Sequence, residues 1–503
     1  MRILLATGKK AEGMVKAALR TVNLPFDCEV LTQDLNIAAF STPNSLKKAL
    51  SGKKSKKSDL ILVSGICRSD FTSLENEIAT PIRLGPRNAY DLGEALKVAD
   101  KMDFSSHIPA DVFLAEKRKE EAYKLLFELE RSVKGYFSIK NVKIGGGARM
   151  KVCAEIVDAT LMTRKELRQK MAYLIKSGAD IIDLGVHIGA KPEEVKSVVK
   201  AALSFAHGVP LSVDTLDAEL LLAGIQSGAD MILSVNRENI PVVADAIAEN
   251  DIAAVVISDS SIESMHENLE IAREHGIRRL IADPVLNAVG YGLAESVYNY
   301  YRFRLQDKNT PLFFGVGNVT ELIDADSIGV NATLAGIASE LNADILFTPE
   351  YSDKARGSVR ELRIASELMM LAKARKSAPK DVGLALLMLK EKRKKPVVSV
   401  QDKGLIVANA NTKWRVDPKG SFKISIIEIE DESIRKICAE HVSTGERIVG
   451  MSAKEVMDTI LRLKLASLTE HVSYLSIELA KAELALRLDR SYEQDEALFL
   501  HNP

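Results

Sequence analysis

ADIIDLGV (residues 179–186) and PLSVDT (residues 210–215) are short apolar runs that close on small or polar residues, and a helical pattern, residues 192–205, separates them. The same phrase recurs as MILSVN (231–236), AAVVISD (253–259), RLIADP (279–284), LFFGVGN (312–318) and ADILFTPE (343–350), with MKVCAEIVDA (150–159) ahead of them all. Runs of this length, bounded by turn residues, read as strands buried on both faces. Helical patterns follow every one: 164–177, 192–205, 217–227, 240–249, 264–275, 294–304, 325–341 and 358–374. Strands that alternate with helices build parallel sheets. Eight uninterrupted units predict a (β/α)8 TIM barrel over residues 136–378, near the usual size of about 250 residues. A doubly wound open sheet shares the alternation but seldom has eight such units in a row.

The flanks read differently. RILLAT (2–7), residues 27–31 and DLILVS (59–64) are strand-like, with helical stretches such as 44–50 between them. This predicts a Rossmann-like doubly wound α/β domain over residues 1–103. The turn TGKKAEG (7–13) lacks the GxGxxG spacing of a dinucleotide loop, so a structural turn is the expectation. KKSKK (53–57) reads as a solvated loop. The charged helix AEKRKEEAYKLLFELERSV (115–133) lies in a helical linker, 104–135, and GGG (145–147) reads as a flexible approach to the first barrel strand. Beyond Pro379 comes a linker, EKRKKP (391–396), then alternating strand patterns at 397–408 and 422–429 and helices at 453–465 and 471–487. These predict a C-terminal α+β domain over residues 391–503, with the apolar stripe of YLSIELAKAELAL packed on its own sheet.

Apolar residues make up 46% of the 503, enough for substantial cores, and the formal net charge of −1 argues against a global nucleic-acid footprint. Cys28, Cys67, Cys153 and Cys438 form no CxxC, so neither a disulfide framework nor a zinc ribbon is expected. The opening MRILLATGKK has the wrong flanks for a signal peptide, and no run reaches the roughly 18 apolar residues of a membrane span. A cytoplasmic protein without membrane contact is the expectation, with a homodimer left open.

In such a barrel, side chains at the C-terminal strand ends do the chemistry. They are Glu155 and Asp158, Asp183, Asp214, Asn236, Asp259, Asp283, Asn318 and Glu350. Any one of them can instead cap the helix that follows. As a ring, carboxylates and amides suit a flat heterocycle with several N–H donors. His187 reads as a loop residue. With no HExxH, HxH or GxSxG, neither a catalytic metal nor acyl-enzyme chemistry is expected.

The order and spacing of IIDLG, SVDT, GAD, ADP and GN over about residues 150–360 resemble the pterin-binding barrel superfamily. It includes the dihydropteroate synthases and the methyltetrahydrofolate–corrinoid methyltransferases. The resemblance implies pterin contacts by Asp183, Asp214 and Asp283. It likens Asn318 in GVGNVT to the methyltransferase Asn that bonds the methyl-bearing pterin nitrogen. AEIVD (154–158) looks like the methyltransferase motif GERIN, keeping Glu155 and placing Asp158 where that motif has Asn. The synthase motifs NVTPDSF, STRPG and SRK are replaced here by VDATLMT, VHIGAK and VGNVT. The expected fourth-strand Asn is displaced, with Leu233 or Ser234 in its place and Asn236 just beyond. Arg356 or Arg360 can meet a phosphate, as an Arg does in the synthases. The three-part chain resembles archaeal dihydropteroate synthase-related proteins, and EHVSTG and HVSYLSIELAKAELAL resemble a corrinoid-carrying subunit. That likeness makes His441 or His471 a candidate cobalt ligand.

The resemblance therefore implies an enzyme of one-carbon metabolism, a transferase that binds a reduced pterin of the tetrahydrofolate or tetrahydromethanopterin type. Methyl transfer to a corrinoid, on a partner corrinoid protein, is the favoured reaction, with Asn318 and Asp214 catalytic. The alternatives are synthase-like condensation of a pterin pyrophosphate with an arylamine, and a non-catalytic pterin or corrinoid scaffold.

Overall fold

The protein is described here from a computed structural model, covering residues 1–20, 22–51, 57–259, 261–391, 406, 408–409, 415–429 and 434–499. Most of the expected strand 397–408, of the basic run 53–57 and of the linker 391–396 lies outside the described residues. Two compact units divide the chain, Met1–Pro396 and Val397–Pro503.

The first unit begins with four parallel strands, β1 (Arg2–Gly8), β2 (Asp27–Gln33), β3 (Leu60–Val63) and β4 (Ile82–Leu84), in the order β2-β1-β3-β4. One face buries Ile3, Leu5, Leu60 and Leu62, and the other Leu4, Ala6, Ile61 and Val63. Burial on both faces explains why these strands are continuously apolar. The helix Ala110–Ser132 leads away to the barrel, where Ala122 and Leu126 pack against Leu368 and Leu371.

A short antiparallel hairpin follows, β5 (Phe137–Ile139) and β6 (Val142–Ile144), unforeseen because three-residue strands carry almost no periodicity. Ile139 and Ile144 join Met231, Ala253 and Ile281 in one core, so the hairpin stoppers the N-terminal end of the barrel. The GGG that follows is no flexible approach. Gly145, Gly146 and Gly147 have φ of +72°, +62° and +87°, and a Cβ on Gly145 would meet the Tyr136 ring at 2.2 Å. Glycine alone takes three successive left-handed residues without strain.

The barrel strands are β7 (Lys151–Ile156), β8 (Ile181–Gly185), β9 (Leu211–Asp214), β10 (Met231–Val235), β11 (Ala253–Ile257), β12 (Arg279–Asp283), β13 (Phe313–Phe314) and β14 (Ile345–Thr348). They run in the order β12-β11-β10-β9-β8-β7-β14-β13, all parallel, and the bridge Ala282–Leu312 closes the ring. This is the (β/α)8 barrel. Each strand is followed by a helix, and helix boundaries fall within three residues of the sequence expectation. The seventh strand is shorter than the sequence suggests. It ends at Phe314, and Gly317–Thr320 already form a helical turn, which places Asn318 on that turn rather than on the strand.

Strand side chains alternate between the two faces. Val152, Ala154, Ile182, Leu184, Leu211 and Val213 therefore point out to the helices, in the largest core. Cys153, Ile181, Met231, Leu233, Val255 and Phe313 point in. The same parity sends Glu155, Asp183, Asp214 and Asp283 inward, one layer nearer the mouth.

The second unit holds an antiparallel sheet of β15 (Phe422–Ile429), β16 (Ile434–His441) and β17 (Arg447–Gly450). Helices Ala453–Arg462 and Thr469–Leu488 cover it, with Leu475, Leu479 and Ala482 buried against Ile424, Ile437 and Val456. The stripe on the last helix thus packs on its own sheet. Among the described residues no helix is long and apolar enough to cross a membrane.

Candidate functional site

Glu155, Asp183 and Asp214 stand on neighbouring strands, with Glu155 in register with Asp183 and Asp214 one step up beside Gly185. Carboxylate oxygens of all three lie within 4.8 Å of one another. Gly185 makes room, because a Cβ there would meet Glu155 Oε1 at 2.5 Å. Asp183 is fully buried; its Oδ1 accepts from the Ser212 hydroxyl, and its Oδ2 has no partner. Asp214 Oδ1 accepts from Ser234 Oγ at 2.6 Å. Three carboxylates this close, one buried and two half-buried, cannot all be ionised cheaply. Burial, and then the charge of Asp214, push Glu155 up to about 7. Burial and the neighbouring Asp214 and Glu155 push Asp183 well above the usual carboxylate range. Burial also raises Asp214, against the opposing Ser234 hydroxyl. Such a site holds protons of its own or takes donors from a ligand. An oxygen-only set of this kind also suits a hard cation.

Asp283 faces the same interior from β12. Its Oδ1 accepts from Tyr300 Oη at 2.6 Å and from the Val285 N–H at 2.9 Å. Burial pushes its carboxyl up to about 6, against those two donors. Tyr300 is fully buried, and its single hydroxyl proton is shared between Asp283 and the Phe313 carbonyl, which lies 2.9 Å from Oη. Sequence reading missed Tyr300, since a Tyr on a helix is indistinguishable from core. It also undervalued Ser234, which takes the fourth-strand position where the strand is bulged and φ is +67°.

Asn318 is exposed on its helical turn, and Nδ2 donates to the Leu286 carbonyl at 2.8 Å. A carbonyl can only accept, so the amide is oriented, and Oδ1 together with the second Nδ2 hydrogen is left to a ligand. Asp158 is exposed with φ of +50°, outside the triad, and its charge adds to the upward push on Glu155. Asn236 proves to be a turn residue, its Oδ1 accepting the N–H groups of Glu238 and Asn239 at 3.0 and 3.2 Å. Asp259 is bound to Arg237 Nε at 2.7 Å. Glu350 is buried and caps the helix Ser358–Arg375, accepting from the N–H groups of Gly357 and Val359 at 2.8 and 3.0 Å and from the Tyr173 hydroxyl. For Asn236, Asp259 and Glu350 the capping or ion-pair role accounts for the side chain. His187 Nδ1 pairs with Thr160 Oγ1 at 2.6 Å. Arg356 and Arg360 are both exposed near the start of that last barrel helix.

In the second unit, His441 is buried with both ring nitrogens engaged, Nδ1 with Thr444 Oγ1 and Nε2 with the Lys419 carbonyl, each at 2.8 Å. Neither nitrogen is left for cobalt, which corrects the expectation for that residue. His471 Nδ1 lies 3.0 Å from Asp417 Oδ2. Burial works against ionising Asp417, yet the N–H groups of Leu468, Lys419 and Ser467 and the Ser467 hydroxyl hold its carboxyl well below the usual range. A carboxylate behind a histidine is the arrangement that orients a metal-ligating imidazole.

A family profile described as pterin binding enzyme matches residues 158–296, one described as PterinBD-DUF4346 matches 416–495, and a family of unknown function, DUF6513, matches 1–87. An uncharacterized protein of Methanocaldococcus jannaschii is 38% identical over 531 positions, 99% of each chain. The acetyl-CoA decarbonylase/synthase complex subunit gamma 2 of Methanosarcina thermophila is 23% identical, covering 32% of this chain and 35% of that protein. The dihydropteroate synthase of Bacillus subtilis is 24% identical, covering 28% of this chain and 54% of that protein. A crystallised Yersinia pestis dihydropteroate synthase is 19% identical over 45% of this chain and 95% of its own, with a TM-score of 0.38. With near-complete overlap to the M. jannaschii protein and a pterin-binding profile on its barrel, the chain belongs to the dihydropteroate synthase-related family of pterin-binding proteins.

Proposed function

We propose that this pterin-binding protein is a transferase that moves a methyl group from the N5 position of a reduced pterin, tetrahydrofolate or tetrahydromethanopterin in type, to a corrinoid carried by a partner protein. The observation that carries this reading is Asn318, whose anchored amide presents Oδ1 at the mouth. Asp214 and Asp283, with Asp183 beneath, accept the amino and ring N–H groups of the pterin edge. Asp183 Oδ2, buried and without a partner, fits this role, because a buried acceptor left unpaired costs about 1–3 kcal/mol. As the carbon–N5 bond breaks, the electron pair stays on N5, which takes a proton, and Asn318 Oδ1 accepts from the resulting N–H. Glu155, held near neutrality, is suited to supply that proton. The methyl group forms its new bond to the corrinoid's reduced cobalt. Similarity to a subunit of the acetyl-CoA decarbonylase/synthase complex supports a reaction shared between proteins. His471, backed by Asp417, remains the residue of this chain suited to a cobalt ligand.

The test is a titration with methyl-tetrahydropterins, followed by methyl transfer to a reduced corrinoid read from the cobalt spectrum. Wild type binds and transfers, and Asp214→Asn binds at least tenfold more weakly. No binding by wild type, or equal binding by both, refutes the reading. A second reading, synthase-like condensation, draws on similarity to the B. subtilis synthase and on the exposed Arg356 and Arg360, a suitable pair for a pyrophosphate. Pyrophosphate release from a pterin pyrophosphate and an arylamine selects it.

A further inference from the structure

The N-terminal sheet has its own cavity, of about 630 Å³, at the carboxyl ends of β3 and β4. In open α/β sheets this is the end at which ligands bind. The first turn, after β1, is closed to a ligand: Lys9 and Lys10 donate their backbone N–H groups to the carbonyls of Leu35 and Asn36. A Cβ on Gly8 would lie 2.8 Å from Ala38 N. The cavity opens instead where the loop after β3 meets the loop after β4. They touch at Gly65, where a Cβ would lie 2.3 Å from the Gly85 carbonyl oxygen.

Donors dominate its wall. Asp70 accepts through Oδ1 from the N–H and hydroxyl of Thr72, at 2.9 and 2.6 Å, and its negative charge is set against His107. Glu75 is spent on Arg83 and on the Ile82 N–H, at 2.6 and 3.1 Å. Arg87, also in the wall, is tethered to Asp111 through Nε at 2.8 Å. Arg68 is exposed and, among the described residues, has neither a hydrogen bond nor an ion pair. His107 and Ser106 also face the cavity, as does Ser69, whose hydroxyl donates to the Ser41 carbonyl at 2.6 Å. The remaining wall is apolar, with Phe71 and Leu84 buried behind it and Ile66 standing 55% exposed at its edge. A bare anion needs far less room, and pockets of about 300–1,000 Å³ hold organic ligands. Guanidinium forks recognise phosphate oxygens in pairs.

We propose that this cavity binds a phosphorylated small molecule of 5′-mononucleotide size, its phosphate on Arg68 and Arg87 and its flat ring against Phe71, Leu84 and Ile66. The site is separate from the pterin mouth and does not depend on the reaction assigned there. The experiment titrates the full chain with AMP, GMP, UMP and CMP, with their nucleosides, and with inorganic phosphate, by calorimetry. At least one mononucleotide is expected to bind saturably and at least tenfold more tightly than its nucleoside or phosphate alone. Arg68→Ala weakens it roughly 10- to 100-fold with an unchanged Tm, and Arg68→Lys, lacking the fork, recovers only part. Asp214→Asn leaves the affinity unchanged. The proposal is overturned if no mononucleotide binds, if phosphate alone binds as tightly, or if Arg68→Ala binds like wild type.

Discussion

Glu155→Gln is a sharp test of the carboxylate triad. The substitution keeps size and shape but removes one ionisable group from a cluster with oxygens within 4.8 Å of each other. In the wild type, burial and the neighbouring Asp214 move Glu155 from its ordinary 4.5 to about 7. At about 1.4 kcal/mol per pH unit, that displacement corresponds to about 3 kcal/mol. Below pH 4.5 the carboxyl is protonated in folded and unfolded chains alike, and the pH costs nothing. Between 4.5 and about 7 the unfolded chain ionises while the folded site keeps its proton. The folded state then binds more protons, so stability falls as pH rises. Above about 7 the whole penalty applies. Glutamine abolishes it. The variant should therefore match wild type near pH 4.5 and exceed it at pH 8. For a domain of this size each kcal/mol moves Tm by about 2–4 °C, so a gain of roughly 6–12 °C is expected. Thermal melts across pH 4.5–8.5, followed by circular dichroism, measure it. A variant no more stable than wild type at pH 8 refutes the picture of a charged, crowded triad. Methyl transfer should fall in the same variant, because the proton donor is gone.

Tyr300→Phe removes one of two donors to Asp283 and the hydroxyl beside the Phe313 carbonyl. The Asp283 carboxyl then rises above about 6, and pterin affinity at pH 7 falls several-fold but recovers toward pH 8.5, as fluorescence titration across pH can show. Glu350→Ala uncaps the helix Ser358–Arg375 and strands Tyr173, costing about 2–4 kcal/mol by urea unfolding while pterin affinity of the folded protein stays unchanged. Gly317→Ala forces a Cβ to within 2.3 Å of Pro349 Cδ. The turn bearing Asn318 must shift, and methyl transfer should drop more than tenfold while binding at Asp214 and Asp283 persists. His441→Gln should destabilise the second unit without altering any corrinoid spectrum, whereas His471→Gln should change the spectrum if a corrinoid is bound.

The barrel could be read from local chemistry alone. Eight apolar runs of strand length, each with a helical pattern after it, leave few other folds, and two-residue periodicity then dictates that Glu155, Asp183, Asp214 and Asp283 share an interior. What the chain could not disclose in one dimension is which polar strand ends are already satisfied. Asp259 and Glu350 look like Asp214 in sequence; the structure pairs Asp259 with Arg237 and sets Glu350 on the backbone of a helix start. Asn236 likewise spends its oxygen on its own turn. Tyr300 and the hairpin at the barrel floor were silent, and Ser234 was undervalued, because their roles depend on contacts between distant strands and helices, not on spacing. Sequence by itself determined the fold and the inward carboxylates, since propensity and side-chain parity are local. Only the tertiary structure decided which carboxylates crowd without partners, because proton affinity in a buried site is set by neighbours that the chain brings together through folding.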